Sequence, residues 1–287
     1  MKILVTGSNG QLGKSIQDRV KNFPEHTFIF TDIEELDITS ETDLDQFFLI
    51  NKINVLINCA AYTAVDKAEE DQKLAYRINR DAVKLLAVFS MKYMFSLIHI
   101  STDYVFSGKN FRPYIETDLA EPNGVYGKSK YEGEQAIFEF SNRAVIIRTS
   151  WLYSEYGQNF VKTILRLGNE REELKIVSDQ VGSPTYGGDL ADAILHIIVG
   201  GYKFNKVELF HFSNEGIASW YDFALDIMKQ SSISCRVFPI KTEDYPLPAP
   251  RPFYSVLSKE KFTKTFNYTI PYWKNSLLKC LERIDKS

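Results

Sequence analysis

The chain has 287 residues, of which 44% are hydrophobic and 25% charged, a composition typical of a globular protein with a large core. A formal net charge of −3 argues against a nucleic-acid or anionic-membrane partner. No secretory leader opens the chain, and its apolar runs are too short to span a bilayer. Cys59, Cys235 and Cys280 show no metal-binding or disulfide spacing. We therefore expect a soluble, reduced, cytoplasmic protein.

Strand and helix patterns alternate through the first half of the chain. Short β-branched runs predict strands, and longer segments with apolar residues at helical spacing predict helices. The predicted strands are 2–5, 27–31, 55–59, 95–101 and 145–149. The predicted helices between them are 11–22, 44–51, 66–93 and 126–140. This alternation predicts an α/β fold with a Rossmann-like, doubly wound parallel sheet that is covered on both faces.

The pattern changes after Trp151, where the loops lengthen and a proline-rich segment occupies residues 245–252. The predicted helices are 160–167, 190–199 and 220–229. The predicted strands are 175–177, 209–212 and 236–240. We expect residues 1–150 to form the sheet domain. We expect residues 151–287 to form mainly a smaller α/β lobe over the carboxyl edge of the sheet, with some segments returning to it.

Three glycines, Gly7, Gly10 and Gly13, follow the first predicted strand and open the first predicted helix. Glycine permits a tight turn there and lets backbone N–H groups and the positive helix end approach a pyrophosphate. Asp32 ends the second strand about 20 residues further on, where an acid can hold ribose hydroxyls. Residues 1–150 are therefore predicted to bind NAD(P). No Arg stands beside Asp32, which favours NADH over NADPH.

The spacing of Tyr126 and Lys130 is the second candidate for chemistry. Residues four apart share a helix face, about 6 Å apart along the axis. An ammonium beside a phenol favours the phenolate, so we expect the pKa of Tyr126 to lie below its usual value of about 10. Such a phenol can donate a proton near neutral pH. Two solvated surface side chains are the alternative for an isolated pair with this spacing.

Seven motifs spread along nearly the whole chain resemble one family. They are TGSNGQLG (6–13), NCAAYTAVDKAE (58–69), STDYVFSG (101–108), ETDLAEPNGVYGKSKYEGE (116–134), IIRTSWLY (146–153), DQVGSPT (179–185) and APRPFYSVL (249–257). With these motifs the chain is identified as an extended short-chain dehydrogenase/reductase that resembles the dTDP-4-dehydrorhamnose reductase family. Together the motifs are far more specific than the glycine loop alone.

The resemblance implies a Ser/Thr–Tyr–Lys catalytic set, which Thr102, Tyr126 and Lys130 match. The implied reaction is reduction of the 4-keto group of a nucleotide-linked 6-deoxysugar, dTDP-4-dehydro-L-rhamnose, by NADH or NADPH. Tyr126 would protonate the new alkoxide and Thr102 would hydrogen-bond the carbonyl oxygen. Lys130 would hold the nicotinamide ribose and lower the pKa of Tyr126. The resemblance thus places the chain in dTDP-rhamnose biosynthesis.

Further site residues follow from the glycine pattern and the resemblance. Around the cofactor we expect, besides Tyr126 and Lys130, the following residues: Gly7, Asn9, Gly10, Gln11, Leu12, Gly13, Asp32, Asp37, Ile38, Ala61, Tyr62 and Thr63. At the sugar or nucleotide we expect Thr102, Asp103, Tyr104 and Trp151. Asn79 is compatible with a structural or a catalytic-support role. Arg251 is compatible with a substrate-phosphate contact or with simple solvation.

Three other functions occur among related proteins. A 4,6-dehydratase needs an acid/base pair beside Thr102, and the dehydratases of this superfamily carry Asp-Glu there, whereas Asp103 is followed by Tyr104. A 4-epimerase of the same superfamily and a non-catalytic regulatory subunit, like the partner of methionine adenosyltransferase, remain alternatives. Some family members dimerise through magnesium held by glutamates, one shortly after the glycine loop. Residues 13–17 contain no Glu, so we predict no metal and expect a monomer or a homodimer.

Overall fold

The computed structural model describes residues 1–285 and is built around one parallel sheet. Twelve strands are found in this part of the chain: β1 (Lys2–Thr6), β2 (Thr27–Thr31), β3 (Val55–Asn58), β4 (Ser96–Thr102), β5 (Ala144–Thr149), β6 (Leu152–Tyr153), β7 (Glu173–Val177), β8 (Val181–Gly182), β9 (Thr185–Tyr186), β10 (Val207–His211), β11 (Ala218–Ser219) and β12 (Arg236–Ile240). Six of them form the main sheet in the order β10-β5-β4-β3-β1-β2.

Helices cover this sheet and build the remainder of the chain. Within residues 1–285 the α-helices are α1 (Gln11–Gln17), α2 (Glu41–Asn51), α3 (Val65–Glu70), α4 (Gln72–Tyr76), α5 (Ala82–Lys92), α6 (Val125–Phe140), α7 (Phe160–Glu170), α8 (Gly187–Val199), α9 (Trp220–Gln230), α10 (Glu260–Phe266) and α11 (Trp273–Ile284). None of these helices combines the length and the apolar character needed to cross a lipid bilayer.

The two faces of the sheet bury separate apolar cores. Ile3 and Val5 of β1 point into one core, which α1, α8 and α10 complete, whereas Leu4 points into the other, which contains side chains of α2, α5 and α6. Successive strand residues alternate between faces, so a sheet covered on both sides needs continuous apolar runs. The predicted doubly wound parallel sheet is confirmed.

A third core lies in the second half of the chain, between α7, α9 and α11 and the two-stranded pair of β7 and β12. In the same half, β10 pairs with β5 at the edge of the main sheet, and α8 packs on its face. The division into domains at residue 150 stays a prediction. The last two residues of the predicted second lobe, 286–287, lie outside the described residues.

The single long helix predicted over 66–93 is wrong, because the chain breaks once within it, at Asp71. Asp71 ends α3, and its side chain accepts a hydrogen bond from the Leu74 N–H to cap α4. Asp favours such caps over helix interiors because its carboxylate competes for backbone N–H groups. A π-helical turn, Arg77–Asp81, then precedes α5. The helix predicted over 11–22 also ends early, at Gln17, and α10 and α11 were not predicted.

Helix α6 lies unusually close to its neighbours. A Cβ atom at Gly133 would lie 2.1 Å from the carbonyl oxygen of Asn79 in the π-helical turn, so only glycine fits there. One residue further on, Glu134 is fully buried and accepts two hydrogen bonds from Arg148 of β5, at 2.9 and 2.6 Å. Ser101 of β4 also donates to Glu134. These contacts fix α6 against the sheet.

We predict that Arg148→Met lowers the free energy of unfolding by about 3–5 kcal/mol, because it leaves the Glu134 carboxylate buried without its partner. The double variant Glu134→Leu/Arg148→Met removes both charges and is expected to lose distinctly less. Urea unfolding of the three proteins measures the difference. Equal losses in the single and double variants would show that the unpaired charge is not the cause.

Candidate active site

The glycine loop after β1 lies very close to the segment that follows β3. Gly7 has a φ of +63°, and a Cβ atom on it would lie 2.5 Å from the backbone nitrogen of Ala60, just after β3. A side chain at this position would therefore collide with the neighbouring strand exit. The backbone of the loop is consequently exposed towards the carboxyl edge of the sheet.

A cavity of about 490 Å³ opens at this edge, where β1, β2 and β3 end. It lies where the chain crosses from β2 on one side of β1 to β3 on the other, the usual ligand crevice of open parallel sheets. The predicted cofactor residues that line it are Gly7, Asn9, Gly10, Asp32, Asp37, Ile38 and Ala61. Cys59, Leu74, Arg77 and Ile78 also line the cavity.

Asp32 both shapes the loop and faces the cavity. Its carboxylate accepts hydrogen bonds of 2.9 Å from the N–H groups of Asn9 and Ile33. Arg77, from the π-helical turn, lines the same cavity and donates to the Thr39 hydroxyl at 2.7 Å. The sequence showed no Arg beside Asp32, but the fold brings Arg77 to the same cavity from 45 positions further along the chain.

The other predicted cofactor residues have different surroundings. The side chain of Leu12 is buried in the core, so only its backbone is available to a ligand. Gln11 accepts hydrogen bonds from Ser154 and Asn159 and so ties α1 to the segment after β6. Tyr62 exchanges two backbone hydrogen bonds with the Asn79 side chain, which also donates to Ser129 of α6. The site roles of Gly13 and Thr63 likewise stay predictions.

Thr102, Tyr126 and Lys130 meet where β4 ends against the first turns of α6. Thr102 is the last residue of β4, and its hydroxyl donates to the Asp103 carboxyl at 3.1 Å and lies near the Tyr126 phenol. Lys130 is only 2% exposed, and its ammonium donates to the Ile100 carbonyl oxygen at 2.6 Å. The hydroxyls of Thr102 and Tyr126 and the buried ammonium of Lys130 thus lie close to the end of β4, at the carboxyl edge of the sheet.

Burial is the main influence on the pKa values of Tyr126 and Lys130. It raises the pKa of Tyr126 to about 12, an effect that the Thr102 hydroxyl opposes and the nearby Asp103 reinforces. Burial also lowers the pKa of Lys130 to about 8, against the attraction of Glu134. The prediction that Lys130 lowers the pKa of Tyr126 is therefore wrong for this structure, because desolvation of the phenol outweighs other effects.

Asp103 is a buried carboxyl beside the hydroxyls of Thr102 and Tyr126. It is 2% exposed, and burial raises its pKa to about 6, although the neighbouring Ser255 and Thr102 hydroxyls oppose the rise. Tyr104 follows it, with its ring edge-on to Tyr126 at a centroid distance of 5.5 Å. Asp103 and Tyr104 therefore lie next to the predicted catalytic residues, as a substrate contact requires.

Trp151 lies on the neighbouring strand exit. Thr149, the last residue of β5, is paired with Thr102, and Trp151 follows two residues later with a φ of +48°. Its indole stacks on Trp220 with centroids 3.6 Å apart and planes 8° from parallel. Trp151 is thus at the carboxyl edge, as expected, and sequence reasoning missed Trp220, whose only signal was an aromatic residue at a helix start.

Comparison with known proteins agrees with this geometry. The sequence model of the RmlD substrate binding domain family matches residues 1–286. The chain belongs to this family. A dTDP-4-dehydrorhamnose reductase of Aggregatibacter actinomycetemcomitans is 40% identical and aligns over 96% of this chain and 97% of its own length.

Solved structures of the same family are also similar. The crystal structure of a dTDP-4-dehydrorhamnose reductase from Clostridium acetobutylicum is 43% identical, covers 99% of this chain and 100% of its own, and has a TM-score of 0.94. The reductase from Bacillus anthracis, solved in complex with NADP, is 39% identical over 98% of this chain and 99% of its own, also with a TM-score of 0.94. The family identified from the seven motifs is confirmed.

An ion pair that sequence reasoning missed closes one side of the site. Arg251, in the proline-rich segment, donates to both carboxylate oxygens of Asp66 in α3, at 2.5 and 2.6 Å. Asp66 also accepts from the Ala249 N–H. Arg251 is therefore not simply solvated, and its positive charge is already paired with the negative charge of Asp66, whereas its contact with a substrate phosphate stays a prediction. The pair anchors the proline-rich segment to the helix that follows the predicted cofactor residues Ala61–Thr63.

Metal ligation has no support within the described part of the chain. No group of three or more His, Cys, Asp and Glu side chains there is arranged to hold a metal ion. The expectation of a protein without a metal stays a prediction.

We predict that Asp103→Asn stabilises the protein at neutral pH. The folded-state pKa of about 6 lies above the usual 3.8, so the folded state binds more protons between these values and stability falls as pH rises through them. The gain from Asn at pH 7 is at most about 3 kcal/mol and shrinks towards pH 4. Thermal unfolding at both pH values measures it.

The exposed Glu243→Gln serves as the control for a simple loss of negative charge. An Asp103→Asn variant whose stability relative to the wild type is the same at both pH values would contradict the raised pKa.

Proposed function

We propose that the protein reduces the 4-keto group of dTDP-4-dehydro-L-rhamnose to give dTDP-L-rhamnose, with NADH or NADPH as reductant. The observation that carries the proposal is that the Thr102 hydroxyl and the Tyr126 phenol lie together at the end of β4, with the buried Lys130 one turn further along α6. Family membership and relatives named dTDP-4-dehydrorhamnose reductase support the choice of substrate. The oligomeric state and the cytoplasmic location stay predictions.

The cavity after β1 fits a dinucleotide. The loop after β1 has no side chain at Gly7, because a Cβ atom there would collide with Ala60. Backbone N–H groups of the loop can therefore approach a pyrophosphate. Asp32 would hold the adenosine ribose, and Asp37 and Ile38 would border the adenine. Arg77 adds a positive charge to the same cavity, which supports acceptance of a 2′-phosphate and weakens the preference for NADH drawn from Asp32.

The hydroxyl pair would act on the carbonyl oxygen at C4 of the sugar. Thr102 and Tyr126 can both donate hydrogen bonds to this oxygen, which stabilises the negative charge that develops on it. When bound, the reduced nicotinamide supplies the hydride. Tyr126 then transfers its phenol proton to the oxygen, which leaves an alcohol and a phenolate. A pKa of about 12 keeps Tyr126 protonated at neutral pH and therefore ready to donate.

Substrate binding would use the neighbouring aromatic side chains. Tyr104 faces Tyr126, and Trp151 projects from the exit of the adjacent strand, so the two flank the end of β4. Because Trp151 is held face to face with Trp220, it presents a rigid apolar surface, which suits packing against a sugar ring or base. Asp103, which is hydrogen-bonded to Thr102, would also contact the sugar.

We predict that Tyr126→Phe lowers kcat by about 10²- to 10⁴-fold, because the variant keeps the ring but has no proton to donate. Its affinity for NADH and NADPH, measured by nicotinamide fluorescence, is expected to stay within about threefold of the wild type. The assay follows nicotinamide oxidation with dTDP-4-dehydro-L-rhamnose generated in situ.

Tyr131→Phe is the matched control, since Tyr131 lies on the same helix and packs beside Phe106 and Tyr114. It is expected to keep wild-type kcat. A Tyr126→Phe variant with unchanged kcat would remove Tyr126 from the reaction. Cofactor binding by the wild type without any turnover would instead favour an epimerase or a regulatory subunit.

A further inference from the structure

A row of buried polar side chains runs across three neighbouring strands and ends on Lys130. Thr6 of β1, Asn58 of β3 and His99 of β4 are direct partners in the sheet register. The Thr6 hydroxyl donates to Asn58 Oδ1 at 2.8 Å, and Asn58 Nδ2 lies 3.0 Å from His99 Nδ1. On the other side of the ring, His99 Nε2 lies 3.3 Å from Lys130 Nζ.

The backbone fixes the orientation of the Asn58 amide. Ala60 N–H, which can only donate, points at Asn58 Oδ1 at a distance of 3.1 Å. The oxygen must therefore occupy this position, and Nδ2 must face His99. Since Nδ2 is also only a donor, His99 Nδ1 has to accept. A neutral imidazole carries one proton, so the proton of His99 is on Nε2.

The ring remains neutral in this position. His99 is fully buried, and burial together with the charge of Lys130 holds its pKa well below the ordinary value. Its Nε2–H therefore points at Lys130 Nζ. An ammonium has three hydrogens and no lone pair, so it cannot accept from Nε2–H, whereas a neutral amine can. The contact consequently favours the neutral form of Lys130.

The other titratable groups around Lys130 act in different directions. Glu134, one turn further along α6, favours the ammonium but is already paired with Arg148. Cys59 also faces Lys130, and burial raises the pKa of its thiol to about 12, so it stays neutral near pH 7. The Ile100 carbonyl oxygen accepts from Nζ in either protonation state. His99 is thus the contact that distinguishes the amine from the ammonium.

We propose that His99 is a positioning residue that stabilises the neutral amine of Lys130 and so sets the pH at which Lys130 loses its charge. The inference rests on the proposed reductase function, in which the Lys130 ammonium would hold the nicotinamide ribose.

The tautomer can be measured without turnover. Nitrogen-15 NMR of imidazole-labelled wild-type protein distinguishes an Nδ1 proton from an Nε2 proton, and His99→Gln identifies the resonances of His99. We expect His99 to carry its proton on Nε2 and to stay neutral between about pH 6 and pH 9. A proton on Nδ1, or titration within this range, would overturn the assignment.

Asn58→Asp reverses the arrangement with hardly any change in shape. The carboxylate accepts from Nδ1–H, which moves the His99 proton away from Nε2 and leaves a lone pair facing the Lys130 ammonium. We expect the alkaline limb of the pH profile of kcat to move upward by about one unit. His196→Gln, at the ring bonded to the Phe266 carbonyl oxygen, is expected to leave the profile unchanged.

The two measurements separate failure of the inference from failure of the proposed function. A folded Asn58→Asp variant with the reversed tautomer and an unmoved alkaline limb would overturn the role of His99. If that variant does not fold, the wild-type NMR measurement still determines the tautomer, and a proton on Nδ1 of His99 would overturn the proposal. If the wild type turns over no 4-keto sugar, the reductase function fails while the tautomer result stands.

Discussion

The close docking of α6 on the sheet is the constraint on which the rest of the site depends. Gly133 brings the helix into contact with the Asn79 backbone, and the buried Glu134–Arg148 pair ties the next residue to β5. An ion pair of this kind contributes little net stability, but it is costly to break and so fixes a geometry. The geometry it fixes is the placement of Tyr126 against Thr102 and of Lys130 against β4.

Burial at this edge of the sheet shifts the pKa values of Tyr126 and Lys130 in opposite directions. Desolvation disfavours the charged form of each, so it raises the pKa of Tyr126 and lowers that of Lys130. A phenol that holds its proton at neutral pH suits an enzyme that protonates an alkoxide. The proton moves from Tyr126 to the alkoxide of the product, which is the stronger base.

Much of this could be predicted from the sequence, because local patterns determine it. The β-branched runs located all strands of the main sheet, and the glycines after β1 located the loop whose φ at Gly7 excludes a side chain. Thr102 was expected at the end of the fourth strand and is found there. Parallel sheets place such strand ends on one edge, so motifs distant in sequence fall together.

The remainder depends on contacts between distant segments. The sign of the pKa shift of Tyr126 follows from how deeply α6 is buried, which the four-residue spacing does not reveal. The pairing of Arg251 with Asp66 joins residues 185 positions apart. The helix breaks at Asp71 because the side chain of this residue caps α4, whereas the apolar pattern of the segment alone favours one continuous helix. The helices α10 and α11, which were not predicted, are defined by packing against two different cores, that of Ile3 and Val5 and that of α7 and α9.

The central claim is that this edge of the sheet completes a net hydride transfer to C4 of the sugar. It is tested most directly with nicotinamide cofactor deuterated at the transferred position and dTDP-4-dehydro-L-rhamnose, with the sugar product examined by NMR. We expect deuterium at C4 of dTDP-L-rhamnose and one oxidised cofactor per product formed. Sugar interconversion without net cofactor oxidation, or product without deuterium at C4, would contradict it.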